Sequence, residues 1–337
     1  MTIRVGINGF GRIGRNFFRA AKQAGSDIDF VAVNDLGSVD TMAHLLKYDS
    51  VFGQLGYDVE PTAEGIKVEG DMLKVLAVRE PKELPWADLG VDVVVESTGL
   101  FTARDKAAAH LDAGAPYVVV SAPSSGADGT FVVGVNDGSF DGTTQKVVSN
   151  ASCTTNCFVP MIKILDDAFG VDKGLMTTIH GYTGDQSLVD GPHKDLRRAR
   201  AAAINLIPTS TGAARATGLV LEAMQGRLDG QSIRVPVPDG SITDFTGVLA
   251  RDVTTDEVNE AFKAAADSGP LANVVDYSEA PLVSTDIVGS AASCTFDSKL
   301  TQTIGNMVKV FGWYDNEWGY SNRLVDLVEI VGAANQK

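Results

Sequence analysis

Short apolar runs alternate along this chain with segments whose apolar residues recur every three or four positions. Residues 3–8, IRVGIN, predict a buried strand, and Ile13, Phe17 and Ala21 then mark one face of a helix. Phe30 to Val33 predicts a second strand, and Val39, Met42, Ala43 and Leu46 a second amphipathic helix. Further strands are expected at 74–78, 91–96 and 117–121. Valines 147 and 148 close another strand, after which Met161, Ile164, Leu165 and Ala168 recur at helical spacing. Strands alternating with helices over the first 150 residues predict an α/β domain around a parallel, doubly wound sheet.

The pattern then changes. Strands are expected at 175–179, 233–237, 242–249, 292–296 and 308–314, and the stretch from Thr183 to Ile204 shows none. So long an irregular segment, with Gly191-Pro192 and a basic run from Lys194 to Arg200, is expected to cover a ligand or an interface. Thr254 and Glu257 form a capping box for a helix with Val258, Ala261, Phe262 and Ala265 on one face. Gly269-Pro270 stops that helix. Leu324, Leu327, Val328 and Val331 mark a C-terminal helix. Two domains are expected, at 1–150 and 151–317, as the length of 337 residues also suggests.

Composition narrows the function classes. The chain is 44% apolar and 21% charged, with no apolar run long enough for a membrane span. Its net charge of −15 argues against nucleic acid or an anionic membrane as the main partner. Three cysteines without framework spacing, and no signal-peptide pattern, point to a reducing, cytoplasmic setting. No cluster of His, Cys and carboxylates has metal-ligand spacing, so no metal is expected.

Two stretches carry candidate chemistry. The first strand runs straight into Gly9-Phe-Gly11-Arg12-Ile13-Gly14, and the second ends at Asp35. This is the dinucleotide-binding fingerprint in its proper context, so the first domain is expected to be of Rossmann type. The glycines would let the backbone approach a pyrophosphate at a helix N-terminus, and Asp35 would bind ribose hydroxyls and so prefer NAD to NADP. Arg79, Thr98 and Ser121 follow later strands and are expected on the ligand side of the sheet.

The second stretch is SNASCTTNC, residues 149–157. Cys153 sits where a strand turns into a helix, a position whose dipole and free N–H groups favour a nucleophilic thiolate. Cys157, one turn on, is expected to pack in the core. Of the four histidines, His180 is the best candidate base, because it ends a strand in the same half as Cys153; His44 and His110 read as structural or surface residues. Arg234, inside an otherwise apolar strand, calls for an anionic partner.

NGFGRIGR (8–15), SNASCTTNC (149–157), HGYT (180–183), HKDLRRARAAA (193–203), PTSTGAA (208–214) and WYDNEWGYSNR (313–323) together resemble the phosphorylating glyceraldehyde-3-phosphate dehydrogenases, in order and along essentially the whole chain. The resemblance implies an NAD domain, an α+β catalytic domain with a largely antiparallel sheet, and a C-terminal helix (318–337) that packs back on the first domain. It implies a homotetramer acting on glyceraldehyde 3-phosphate and inorganic phosphate. Cys153 would be the nucleophile and His180 the base. By position, Thr183 and Arg234 would hold the substrate phosphate, with Arg198 from the basic run. Ser152, Thr154, Thr211 and Gly212 would hold the attacking phosphate. Arg12 and Ile13 would cover the pyrophosphate, and Asn316 would hold the nicotinamide amide. Gly191 stands before Pro192, where many NAD-specific members carry leucine. The nearest rival is an erythrose-4-phosphate dehydrogenase of the same fold; a non-catalytic binding protein on this scaffold is the rival of another class.

Overall fold

A computed structural model describes residues 2–335; positions 336 and 337, the end of the expected 318–337 segment, lie outside the described residues. The chain divides into two compact units. One runs to Phe131 and takes in Asp137–Ala151 and the chain from Ser321 on; the other comprises Val132–Asn136 and Ser152–Tyr320. The helix Trp318–Ala334 therefore begins in the second unit and continues in the first. No helix among the described residues is long and apolar enough to cross a membrane.

The first unit is built on a nine-stranded sheet. Its parallel part runs in the order Gly129–Thr130, Val147–Ser149, Tyr117–Val120, Val93–Glu96, Ile3–Asn8, Ile28–Asn34, Asp71–Leu76, and Gly65–Val68 and Val59–Pro61 extend it antiparallel. Val93–Glu96 and Tyr117–Val120 are buried at every position, as strands covered on both faces should be. The strand order reverses between Ile3–Asn8 and Val93–Glu96, and the loops after these two strands meet there. A Cβ on Gly9, whose φ is +95°, would lie 2.6 Å from the backbone nitrogen of Thr98, so only glycine fits.

The second unit carries a sheet in the order Ile207–Ser210, Leu228–Val235, Val171–Gly181, Ser241–Leu249, Met307–Tyr314, Cys294–Asp297, Val275–Ser278. It is antiparallel except where Val171–Gly181 pairs with Leu228–Val235 and Val275–Ser278 with Cys294–Asp297. The two-residue period of Val171–Gly181 buries Met176, Thr178 and His180 together, and that of Met307–Tyr314 buries Val308, Val310 and Tyr314. The helix Cys153–Phe169 shares their core, where Phe158 meets Phe245 edge to face. Cys157 and Cys294 are fully buried there, in keeping with the core packing expected of Cys157.

Several expected strands shift at their ends. Leu228–Val235 starts five residues before the expected Ile233 and stops before Pro236, which has no N–H to continue the ladder. Ile207–Ser210, noted from the sequence only for its hydroxyls, forms the outermost strand, an edge position that tolerates Pro208.

Candidate active site

In the second unit the chemistry gathers at the start of the Cys153–Phe169 helix. Ser152 is its N-cap, accepting the Thr155 N–H at 3.1 Å. Cys153 follows as the first helical residue, partly exposed. Its Sγ lies 3.4 Å from Nε2 of His180, which the strand Val171–Gly181 delivers to its end. On the other side of the ring, Nδ1 lies 2.7 Å from the Gly181 carbonyl. A carbonyl only accepts, so Nδ1 carries the proton of the neutral ring and Nε2 turns its lone pair to the thiol.

Burial opposes ionisation of either partner alone. It pushes the Cys153 thiol up to about 11, against Arg234 and the Thr154 N–H and hydroxyl, which favour the thiolate. It pushes His180 down to about 3, with Arg234 adding to the effect. Moving the proton from sulfur to Nε2, however, creates both charges at once. At 3.4 Å they attract by about 5 kcal/mol at an effective dielectric of about 20. The helix start and the partial exposure of Cys153 help further. That attraction offsets only part of the gap between the two partners, so Cys153 ionises more readily with His180 than alone. The helix start by itself does not outweigh burial.

Tyr314 braces the pair. Its hydroxyl joins Thr154 Oγ1 (2.9 Å) to Thr178 Oγ1 (2.7 Å), and its ring meets His180 edge to face at 5.9 Å. No local signal marks this role, since Tyr314 reads as one more apolar position of a strand.

Three of the expected phosphate residues come together. Arg234 Nη1 donates to Thr183 Oγ1 at 2.7 Å, and the Arg234 Nε is buried without a hydrogen-bond partner. Arg198 Nη1 donates to Asp185 Oδ2 at 2.8 Å, and the Thr183 hydroxyl donates to Asp185 Oδ1. Burial acts to raise the Asp185 pKa, but Thr183, Arg234 and Arg198 prevail and hold it below the usual carboxylate range. Asp185 is therefore a built-in counter-ion among the cations. Its two-residue distance from Thr183 was the only hint. Arg197 and Arg200 are exposed, and Arg200 pairs with Asp190.

Thr211 and Gly212 precede the helix Ala213–Val220, with Thr211 Oγ1 accepting the Ala213 N–H. Arg198 reaches back toward them, donating to Thr209 Oγ1 at 3.0 Å. The hydroxyls of Ser152 and Thr154 are engaged within the protein, the former also with Thr155 Oγ1. Asn316 accepts from Ser241 Oγ at 2.6 Å through Oδ1, and its buried Nδ2 has no hydrogen-bond partner. An amide donor held so is suited to a carbonyl acceptor.

In the first unit, Gly11 caps the helix Arg12–Ala24, and a Cβ there would meet nothing within 4 Å. The first-turn N–H groups of Arg12 and Ile13 are thus approachable by an anion, as the fingerprint requires. The Arg12 side chain itself pairs with Asp49 and lies over Phe52. Asp35 accepts from the Phe10 N–H at 2.9 Å and the Gly37 N–H at 2.9 Å, which ties this acid to the glycine loop. Thr98 is anchored on Glu96 through its N–H and hydroxyl, and the Ser121 N–H on the Glu96 carbonyl. Arg79 is exposed beyond its strand. His110 is not a surface residue: it is fully buried between Glu96 and Trp86.

Comparison with known proteins decides the family. Residues 3–104 match the glyceraldehyde 3-phosphate dehydrogenase NAD-binding domain, and residues 152–316 match the C-terminal domain of the same enzymes. The chain belongs to the glyceraldehyde-3-phosphate dehydrogenase family. It is 59% identical over 333 residues to a glyceraldehyde-3-phosphate dehydrogenase of Streptomyces coelicolor, covering 98% of this chain and 99% of that one. It is 60% identical over 338 residues to one of Mycobacterium avium, again over 98% and 99% of the two chains. As a family member it is an NAD-dependent oxidoreductase acting on an aldehyde, and the glycine turn and the Asn316 donor fit that cofactor.

Proposed function

We propose that the chain oxidises D-glyceraldehyde 3-phosphate and captures the product as an acyl phosphate, 1,3-bisphosphoglycerate. The observation that carries the reading is the 3.4 Å approach of Cys153 Sγ to His180 Nε2 beside the Arg234–Thr183 pair. The thiol proton passes to Nε2 as sulfur attacks the aldehyde carbon, and Nε2 returns it to the new oxyanion, which gives the hemithioacetal hydroxyl. Bound NAD supplies the hydride acceptor. Loss of hydride from the hemithioacetal carbon leaves a thioester on Cys153, while His180 takes the hydroxyl proton. Attack by inorganic phosphate then breaks the carbon–sulfur bond, and the thiolate recovers its place at the helix start.

Arg234, Thr183 and Arg198 are assigned to the substrate phosphate, the unpartnered Arg234 Nε being the donor still available. Ser152, Thr154, Thr211 and Gly212 are assigned to the attacking phosphate. Arg12 and Ile13 would hold the pyrophosphate, Asp35 the ribose, and Asn316 the nicotinamide amide, with Gly9, Gly11, Arg79, Thr98 and Ser121 around them. A homotetramer is part of the same reading. It is supported by the loop after Thr183, which exposes Leu188, Val189, Leu196 and Ile204 each by 74% or more.

The test is NADH formation from glyceraldehyde 3-phosphate with and without inorganic phosphate. Steady turnover should require phosphate or arsenate; without either, about one NADH per active subunit should form quickly and then almost none. Sustained turnover without phosphate would overturn the acyl-phosphate reading.

A further inference from the structure

Asp239 and Asp315 are acidic, buried and neighbours in one core. They are 2% and 1% exposed, with Glu317 8% exposed beside them. Asp315 is fully supplied as a carboxylate. Its Oδ2 accepts the Gly289 N–H at 2.7 Å, and its Oδ1 the N–H groups of Glu317 at 2.9 Å and Trp318 at 2.6 Å. Asp239 is not. Its Oδ1 accepts the Gly240 N–H at 2.8 Å, but its buried Oδ2 meets no donor, and the Asp315 carboxylate is among the groups that act on it. Two facing acceptors repel unless one holds a proton.

We propose that Asp239 is a carboxylic acid that donates its proton to Asp315 and so fixes the turn presenting Asn316. The connections run both ways along the chain. Asp315 adjoins Asn316 directly. On the other side, Asp239 leads through Gly240 into Ser241, whose hydroxyl donates to Asn316 Oδ1 while accepting the Gly181 N–H at 3.1 Å. The acid pair therefore holds both ends of the clamp on Asn316 and adjoins the His180–Gly181 strand end. Asp239 is a positioning residue, and its assignment rests on the cofactor role of Asn316 proposed above.

The groups bearing on Asp239 are all acidic or neutral. Burial first, and then Asp315 and Glu317, raise its pKa to about 9 against the Gly240 N–H, which lowers it. Cys153 also feels Asp239, which raises the thiol. A carboxyl raised in this way binds a proton in the folded state that the unfolded chain has lost. Stability should therefore fall as pH rises from about 4 and level off above about 9.

The variants are Asp239→Asn, which keeps a donor without a charge, and Asp239→Ala, which removes the donor. The first readout is the melting temperature of the native chain and Asp239→Asn across pH 4 to 10, without NAD. The variant should melt increasingly above the native chain as pH rises, with the gap levelling above pH 9. Infrared spectra at neutral pH should show a protonated carboxyl band that Asp239→Asn lacks. Parallel melting curves and identical spectra would mean an ionised Asp239 and overturn the proposal. The second readout is KM for NAD. It should rise roughly tenfold in Asp239→Ala, as for one lost buried hydrogen bond, and stay near native in Asp239→Asn. In the native chain alone it should climb as pH passes about 9. Melting curves that diverge while KM stays flat in every variant would overturn the positioning role. A chain that never oxidises the aldehyde would fail the proposed function instead, with the melting and infrared results still deciding the proton.

Discussion

His180 presents Nε2 to the sulfur of Cys153 because its Nδ1–H is committed to the Gly181 carbonyl. Exchanging His180 for Asn removes the acceptor placed to take the thiol proton. Alkylation of Cys153 by iodoacetate at neutral pH should slow, and its rising limb should move toward the pH of about 11 to which burial drives the lone thiol. The hydride step should slow by roughly 10² to 10⁴. Equal alkylation rates from pH 5 to 9 would show that Arg234, Thr154 and the helix start hold the thiolate unaided. In the native chain, peptide mapping should find label on Cys153 first, since Cys157 and Cys294 are fully buried.

Tyr314 tests a different link. Tyr314→Phe keeps the ring against His180 but strips the hydroxyl from between Thr154 and Thr178. Those two hydroxyls can still rotate toward other acceptors, so denaturant unfolding should show a loss of about 1 to 3 kcal/mol. The alkylation rate of Cys153 should change by far less than in His180→Asn. A drop as large would make the phenol, and not the imidazole, the group that controls the thiol.

Asp35 has two duties, so its replacement should be costly in a particular way. Asp35→Asn would weaken its bond to the Phe10 N–H as well as the repulsion of a 2′-phosphate. Calorimetric titration should find NAD binding weakened more than NADP binding is gained. Native binding of NADP as tight as NAD would refute the role given to this carboxylate.

The apolar loop gives the assembly prediction. Leu196 is 82% exposed. Leu196→Asp should shift sedimentation from tetramer toward smaller species while leaving the melting behaviour of the isolated subunit nearly unchanged. A native chain that sediments as an active monomer would refute the tetramer.

Local patterns were legible where the residues that decide them lie close together. The Thr254–Glu257 capping box forms as expected, and so does the strand–glycine turn–helix at the start of the chain. His180 could be picked because a strand end and a cysteine helix start are both local signals. What escaped depends on contacts across the fold. Ile207–Ser210 becomes a strand only because Leu228–Val235 offers it an edge. Whether His110 is structural or on the surface is decided only by Trp86 and Glu96, 24 and 14 residues away, which close around it. The place of Asn316 came from family likeness alone, because an Asp-Asn-Glu run carries no period and no spacing that marks an amide donor.

In the proposed phosphate site Asp185 would add a selectivity that cations alone would not. A ligand entering between Arg198, Arg234 and Thr183 meets a tethered carboxylate already bonded to Arg198 and Thr183. A singly charged ligand gains little by displacing a neighbour of equal charge that is present at high local concentration. A phosphate dianion brings twice the charge and more acceptor oxygens, and the displaced carboxylate can turn to water. On that reading the loop would reject common carboxylates by occupying their place, and aldehydes lacking a phosphate would have nothing with which to open it.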